Sequence, residues 1–185
     1  MKKNVLFLTQ GAVIAALYTV LTVIAGSLNL ANGVIQVRFS EALTILPAFT
    51  PAAIPGLWIG CIVSNILTGC HPLDVIFGSL ATLMGALLTY LLTHKRENGK
   101  WNYIPGKKSM FLAPIPPILS NALIVPFILS YVYQFEGSHW FFMITVGAGE
   151  IISCFVLGLA LFSALLPVKD QIFKTHSYEK READV

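Results

Sequence analysis

The sequence predicts an all-α integral membrane protein, a bundle of six short transmembrane helices with both termini in the cytoplasm. Composition is the first observation behind this. Of 185 residues, 56% are hydrophobic and 11% charged, against about 25% charged in soluble domains, and mean hydropathy is +0.75. Uncharged length is the second. No charged side chain occurs between Lys3 and Arg38, and nearly charge-free stretches follow at 42–70, 75–93, 110–135 and 139–168, long enough for repeated bilayer crossings. Placement of Lys and Arg is the third. Lys2 and Lys3 precede the first helix, and Lys95, Arg96, Lys100, Lys107 and Lys108 fill the connection after the fourth. Lys169, Lys174, Lys180 and Arg181 follow the sixth. The connections after helices 3 and 5 hold none. Six helices with both ends inside place all of these residues in the cytoplasm, as the positive-inside bias requires. Arg38 is the only basic residue left for the outer half.

Helix 1 is read over 4–26, a retained span whose apolar run exceeds that of a signal peptide. Residues 27–37 are polar with Asn and Gly, a loop or re-entrant stretch. Helix 2 is read over 38–50 and helix 3 over 52–69. Pro47, Pro51 and Pro55 punctuate their junction, and proline removes a backbone donor and crowds the preceding turn, so one continuous helix is not expected. Helix 4 covers 73–93, helix 5 110–132 and helix 6 139–166, ending at Pro167. Residues 1–168 thus form one transmembrane domain and 169–185 a polar cytoplasmic tail.

Small residues mark helix contacts. Ala12 and Ala16 make an A-x-x-x-A pair on helix 1 beside Ala15, and Ala81 and Gly85 repeat the spacing on helix 4. Lipid supplies no hydrophobic drive between helices, so close backbone approach replaces it. Such residues are also simply common in membrane spans. Cys61, Cys70 and Cys154 are odd in number and lie in or beside apolar spans, as small packing residues rather than a disulfide frame or metal site. His71, His94, His139 and His176 match no metal-ligand spacing. Neither a nucleotide-binding P-loop nor a nucleophile–base pair is apparent. Enzyme chemistry, a metal and a cofactor are therefore not expected.

The informative residues are the ionisable groups in apolar surroundings, each costing a few kcal/mol or more at bilayer depth unless paired or wetted. Arg38 and Glu41 stand i, i+3 and on a helix share a face. They either neutralise each other or face an outward cavity. Asp74, after Pro72, caps helix 4 or meets a ligand. Glu150, in GAGEIISCF, has no basic residue nearby in sequence. A carboxylate there is neutral and hydrogen-bonded between helices, or it waits for a ligand donor. Asn65 and Asn121 add amides, the latter in a helix broken up by Pro114, Pro116, Pro117 and Pro126. Irregular backbone at depth is tolerated only where it lines a cavity or is buried in protein. Trp140, Phe141 and Phe142 open helix 6, as an interfacial aromatic belt or as a stacking wall for a planar ligand. Together these residues predict an outward-facing pocket with an excess of carboxylate, suited to a ligand rich in donors or positively charged.

Two stretches, VRFSEALTILPAFTPAAIPGLWIGCIVSNILTG at 37–69 and DVIFGSLATLMGALLTYLL at 74–92, resemble the QueT family. These are the S components of energy-coupling factor (ECF) transporters for queuosine precursors. The resemblance covers nearly the whole chain apart from 95–109 and the tail. It implies a six-helix plasma-membrane subunit that captures substrate outside and delivers it by toppling. The partners implied are a transmembrane coupling protein (EcfT) and two cytoplasmic ATPases (EcfA and EcfA'), with Ala12 and Ala16 docking on the coupling protein. The implied ligand is a 7-deazaguanine base such as preQ1 or queuine. On that basis Glu150 and Asn121 are expected on the base edge, with Glu41 or Asp74 near a cationic arm. Trp140 or Phe141 is expected to stack on the ring, with Arg38 and Asn65 completing the pocket. Competing readings are an S component for another vitamin or nucleobase, a standalone secondary transporter, for which no internal repeat is found, and a small intramembrane enzyme.

Overall fold

The computed structural model describes residues 2–30, 36–97, 100–104, 107–134 and 136–173. Residues 31–35 of the expected loop over 27–37 and most of the expected tail, including Lys174, His176, Lys180 and Arg181, lie outside the described residues. Helix α1 spans Lys2–Ser27. A 3-10 segment follows at Phe39–Ala48, then α2 at Ala53–Leu67 and α3 at Pro72–Thr93. A hairpin of β1 (His94–Glu97) and β2 (Lys100–Tyr103) comes next. Helix α4 (Lys107–Leu112) runs into α5 (Ile115–Phe127), which winds into a π-helical turn over Ile128–Val132. Helix α6 (His139–Glu150) continues through a π-helical stretch at Ile151–Leu157 into α7 (Gly158–Leu165). The short α8, Lys169–Ile172, ends the described chain.

Among the described residues four helices are long and apolar enough to cross a membrane: Asn4–Ser27, Pro72–Thr93, Lys107–Val132 and His139–Leu165. The expected second and third spans are shorter. The 3-10 segment has ten residues and reaches about 20 Å at the 3-10 rise of about 2 Å per residue. Helix α2, with fifteen residues, reaches about 22 Å. The prolines explain the division. Pro47 lies inside the 3-10 segment, which ends at Ala48, and the chain turns before α2 begins at Ala53.

That 3-10 segment is the centre of the molecule. Eight of its ten residues are buried. It packs against α1, α3, α7 and the π-helical stretch after α6. Ile45, Leu46, Ala48 and Phe49 meet Ile14 and Tyr18 of α1, Leu57 of α2 and Phe162 of α7 in the main core.

Close backbone approach joins the helices, as small residues require in lipid. A Cβ at Gly56 would fall 2.7 Å from the Gly11 carbonyl, and one at Gly60 would fall 2.9 Å from the Ala15 carbonyl. The α1–α2 contact therefore uses Gly11 and Ala15, while Ala12 and Ala16 remain exposed on the other side of α1. On α3, Ala81 is buried, and a Cβ at Gly85 would meet the Pro117 Cα at 2.8 Å.

The hairpin was not foreseen in the basic connection. It pairs His94 with Tyr103 and Arg96 with Trp101. His94 stacks on Tyr90 at 4.1 Å between centroids, and Tyr103 carries the Lys169 ammonium at 4.8 Å from its ring centroid. Phe173 is buried and stacks on Phe49 at 5.6 Å. The first residues of the expected polar tail thus pack onto the bundle.

Candidate functional site: buried acids behind a polar cavity

The interior holds polar side chains that an apolar bundle does not need. In the 3-10 segment about three residues complete a turn, so i and i+3 superpose. Glu41 and Thr44 consequently share one face, turned toward the end of α6. Thr44 donates to the Glu41 carbonyl at 2.6 Å and lies 3.6 Å from Cys154 Sγ. Glu41 is 1% exposed. One of its oxygens accepts the Tyr18 hydroxyl from α1. The other, Oε2, has no hydrogen-bond partner among the described residues.

Glu150, also buried, sits where α6 widens into the π-helical stretch. Its Oε1 accepts from Asn121 Nδ2 at 3.0 Å, and its Oε2 accepts from the Cys154 thiol at 3.1 Å. A carboxylate oxygen of Glu41, one of Glu150 and the Cys154 sulfur lie within 4.8 Å of one another. These three donors fall short of the four that close a structural zinc site.

Next to this cluster lies a cavity of about 490 Å³, lined among others by Gln36, Arg38, Asn65, Asp74, Leu129 and Tyr133. Asp74 and Asn65 approach each other over Gly78, where a Cβ would lie 3.2 Å from Asp74 Oδ1 and 3.4 Å from Asn65 Nδ2. The Tyr133 hydroxyl donates to Asp74 Oδ2 at 3.0 Å and accepts the His71 N–H at 3.0 Å. That hydroxyl ties the end of the α5 rod to the start of α3. The α3 cap itself is His71, whose Nδ1 accepts from the Leu73 N–H at 3.3 Å. Asp74 in the first turn faces the cavity.

Gln36 and Arg38 form one wall of the cavity and also touch the segment that carries Glu150. The Arg38 N–H donates to Ser153 Oγ at 3.2 Å, one turn beyond Glu150. Gln36 crosses Gly149 so closely that a Cβ there would lie 2.1 Å from its carbonyl oxygen.

Of the two readings of Arg38 and Glu41, the ion pair is not formed. The guanidinium donates to Gln36 Oε1 at 3.1 Å, and Glu41 turns inward to Tyr18. The tight 3-10 winding aims residue 41 into the bundle while Arg38, just before the segment, stays at the cavity. Glu41, Asn121 and Glu150 are therefore brought together, and Arg38, Asn65 and Asp74 line the adjoining cavity.

Trp140 and Phe141 join neither group. They are 72% and 48% exposed, because the inward face of α6 runs through Phe142, Thr145, Val146, Gly149 and Glu150. The ring that reaches the interior is Phe142, packed with Val125, Leu129 and Val146. Sequence reasoning missed Tyr18, Tyr133, Gln36 and Cys154. Tyr18 carried a usable signal, since a buried tyrosine hydroxyl needs a partner. Cys154 carried another, one helical turn from Glu150.

The four apolar spans and this polar interior define a multi-pass, mainly helical membrane protein. The family model described as QueT transporter matches residues 8–167, and the chain belongs to that family, one of transporters and not of enzymes. Over 103 residues it is 38% identical to a protein of Lactococcus lactis subsp. cremoris (strain MG1363) named Queuosine precursor transporter QueT. That alignment covers 55% of this chain and 60% of the relative, so the chain spans less than two thirds of the relative's length. No solved structure matches.

Proposed function

We propose that this chain is the substrate-binding S component of an ECF transporter, capturing a queuosine precursor of the 7-deazaguanine class from outside the cell. The observation that carries this reading is the QueT family match over residues 8–167. The name of the Lactococcus lactis relative supports the ligand class. In this reading six membrane segments place both termini in the cytoplasm. That topology draws its support from the Lys and Arg residues of the 95–108 connection and of the two ends. ATP hydrolysis belongs to other chains, the two ATPases that act through a transmembrane coupling protein.

The ligand ring occupies the cavity lined by Arg38, Asn65 and Asp74, whose amide, guanidinium and carboxylate suit the donors and acceptors of a guanine edge. Glu41, Asn121 and Glu150 receive the part of the ligand that passes the wall at Arg38. Ala12 and Ala16, exposed on α1, form the surface for the coupling protein, the Gly11–Ala15 side being used within the chain.

Equilibrium binding to the detergent-solubilised protein tests the reading, with preQ1, queuine and guanine as probes. One deazaguanine is expected to bind with high affinity, guanine at least tenfold more weakly, and Glu150→Gln is expected to abolish the difference. A folded protein that binds none of the three sinks the queuosine assignment.

A further inference from the structure

The buried charges do not balance. Glu41, Asp74 and Glu150 are buried acids, and Arg38 is the basic residue among them. The Arg38 guanidinium is already engaged with Gln36 at 3.1 Å. The titratable side chains around the inner acids are Tyr18 of α1, Cys61 of α2 and Cys154 of the π-helical stretch, with Arg38 at the wall. Apart from Arg38, none of these groups supplies a positive charge. Asp74 has the Tyr133 hydroxyl, and both oxygens of Glu150 have donors. Among the carboxylate oxygens of the described residues, Glu41 Oε2 is the buried one with no hydrogen-bond donor. A carboxylate oxygen left so costs about 1–3 kcal/mol or more, so it calls for a donor from a water, an ion or a ligand.

We propose that Glu41 and Glu150 form the seat of a primary ammonium group, so that the site selects a monocationic ligand over a neutral one with the same ring. This rests on the transporter reading above and specifies which end of the ligand lies at the carboxylates. The geometry suits the group. A carboxylate oxygen of Glu41 and one of Glu150 lie within 4.8 Å of each other, close enough for both carboxylates to accept from one nitrogen at the roughly 2.7–2.9 Å of a charge-assisted hydrogen bond. An ammonium has three protons and no acceptor, so it can serve Glu41 Oε2 together with Glu150, while the Cys154 thiol keeps its hydrogen bond to Glu150 Oε2. A neutral substituent leaves two buried carboxylates facing each other without compensation, and that mismatch is the basis of discrimination. The aliphatic carbon beside the nitrogen passes Arg38, so the ring stays in the cavity.

The test compares 7-aminomethyl-7-deazaguanine with 7-cyano-7-deazaguanine, which share a ring and differ in arm charge. Calorimetry on the full chain in detergent is expected to give at least tenfold tighter binding of the amine. In Glu41→Gln the amine is expected to weaken at least tenfold while the nitrile is unchanged or tighter, reversing or erasing the preference. Glu150→Gln run in parallel, each variant checked by its melting curve, guards against a single misfolded mutant. Equal affinity of the two ligands for the native protein overturns the ammonium seat and leaves the transporter reading standing. So does equal weakening of both ligands in folded variants. If a folded native protein binds neither ligand, the queuosine-precursor reading falls and the seat with it.

Discussion

At Gly149 the backbone of α6 touches the peptide of Gln36, and a methyl group there would sit 2.1 Å from its carbonyl oxygen. That contact fixes one wall of the cavity to α6, because Gln36 in turn accepts from the Arg38 guanidinium. Gly149→Ala is expected to destabilise the protein by about 1–3 kcal/mol, as overpacking does, and to weaken ligand binding more than tenfold. Thermal unfolding and calorimetry on the same preparation check both, and binding that survives would mean the wall plays no part. Asn121 poses the complementary case. It donates to Glu150 Oε1 at 3.0 Å in a buried setting, so Asn121→Leu removes a donor and leaves an acceptor stranded. A loss of about 1–3 kcal/mol is expected, read as a lowered melting temperature in detergent. Asn121→Asp sets another acid beside Glu41 and Glu150 and is expected to be the less stable of the two.

Among the elements, the segment Phe39–Ala48 was the hardest to foresee. Its apolar residues and Pro47 signalled a broken helix, and the break was legible. The 3-10 winding was not, because its cause is tertiary. A ten-residue piece enclosed by α1, α3, α7 and the stretch after α6 gains length from the larger rise, and its i, i+3 superposition turns Glu41 inward. An α-helical reading of the same residues leads to an Arg38–Glu41 pair that the structure does not make. Helix packing was more legible, down to Ala81 and Gly85, since small residues leave a direct trace in sequence. Which face of α1 serves the chain itself was not legible, because the A-x-x-x-A and G-x-x-x-A spacings are offset by one residue. A pair of substitutions separates them. Gly60→Leu should drive side-chain atoms into the Ala15 backbone and Tyr18, lowering the yield of folded monomer. Ala12→Leu, on the exposed side, should leave monomer stability within about 0.5 kcal/mol and ligand binding intact. Under the proposed function it should abolish co-purification with the coupling protein. Equal loss of folding in both variants would refute the division of α1 into an inner and an outer face.

Across the whole molecule, hydropathy and lysine placement made the membrane character legible, since both follow from the bilayer as solvent and need no tertiary knowledge. The buried acids were legible as a set for the same reason, whereas Trp140 and Phe141 misled because an interfacial belt and a binding wall look alike in sequence. The hairpin over 94–103 left no clear signal. Its stability comes from stacking on Tyr90 and Phe49 and from backbone ties such as Ile104 N–H to the Thr93 carbonyl at 2.8 Å. This end of the molecule should respond to pH through His94. Burial disfavours its charged form and holds its pKa below the ordinary 6.5, against the opposing hydrogen bond to the Tyr90 carbonyl. A histidine whose folded pKa is depressed binds protons more readily when unfolded. Its contribution to stability is therefore full above about pH 6.5 and declines as pH falls below that value. The melting temperature in detergent is expected to drop between pH 7 and pH 5, and His94→Gln should flatten that part of the profile. A histidine NMR titration showing His94 protonating at or above pH 6.5 would contradict the packed hairpin, because a solvated imidazole would then be detached from Tyr90.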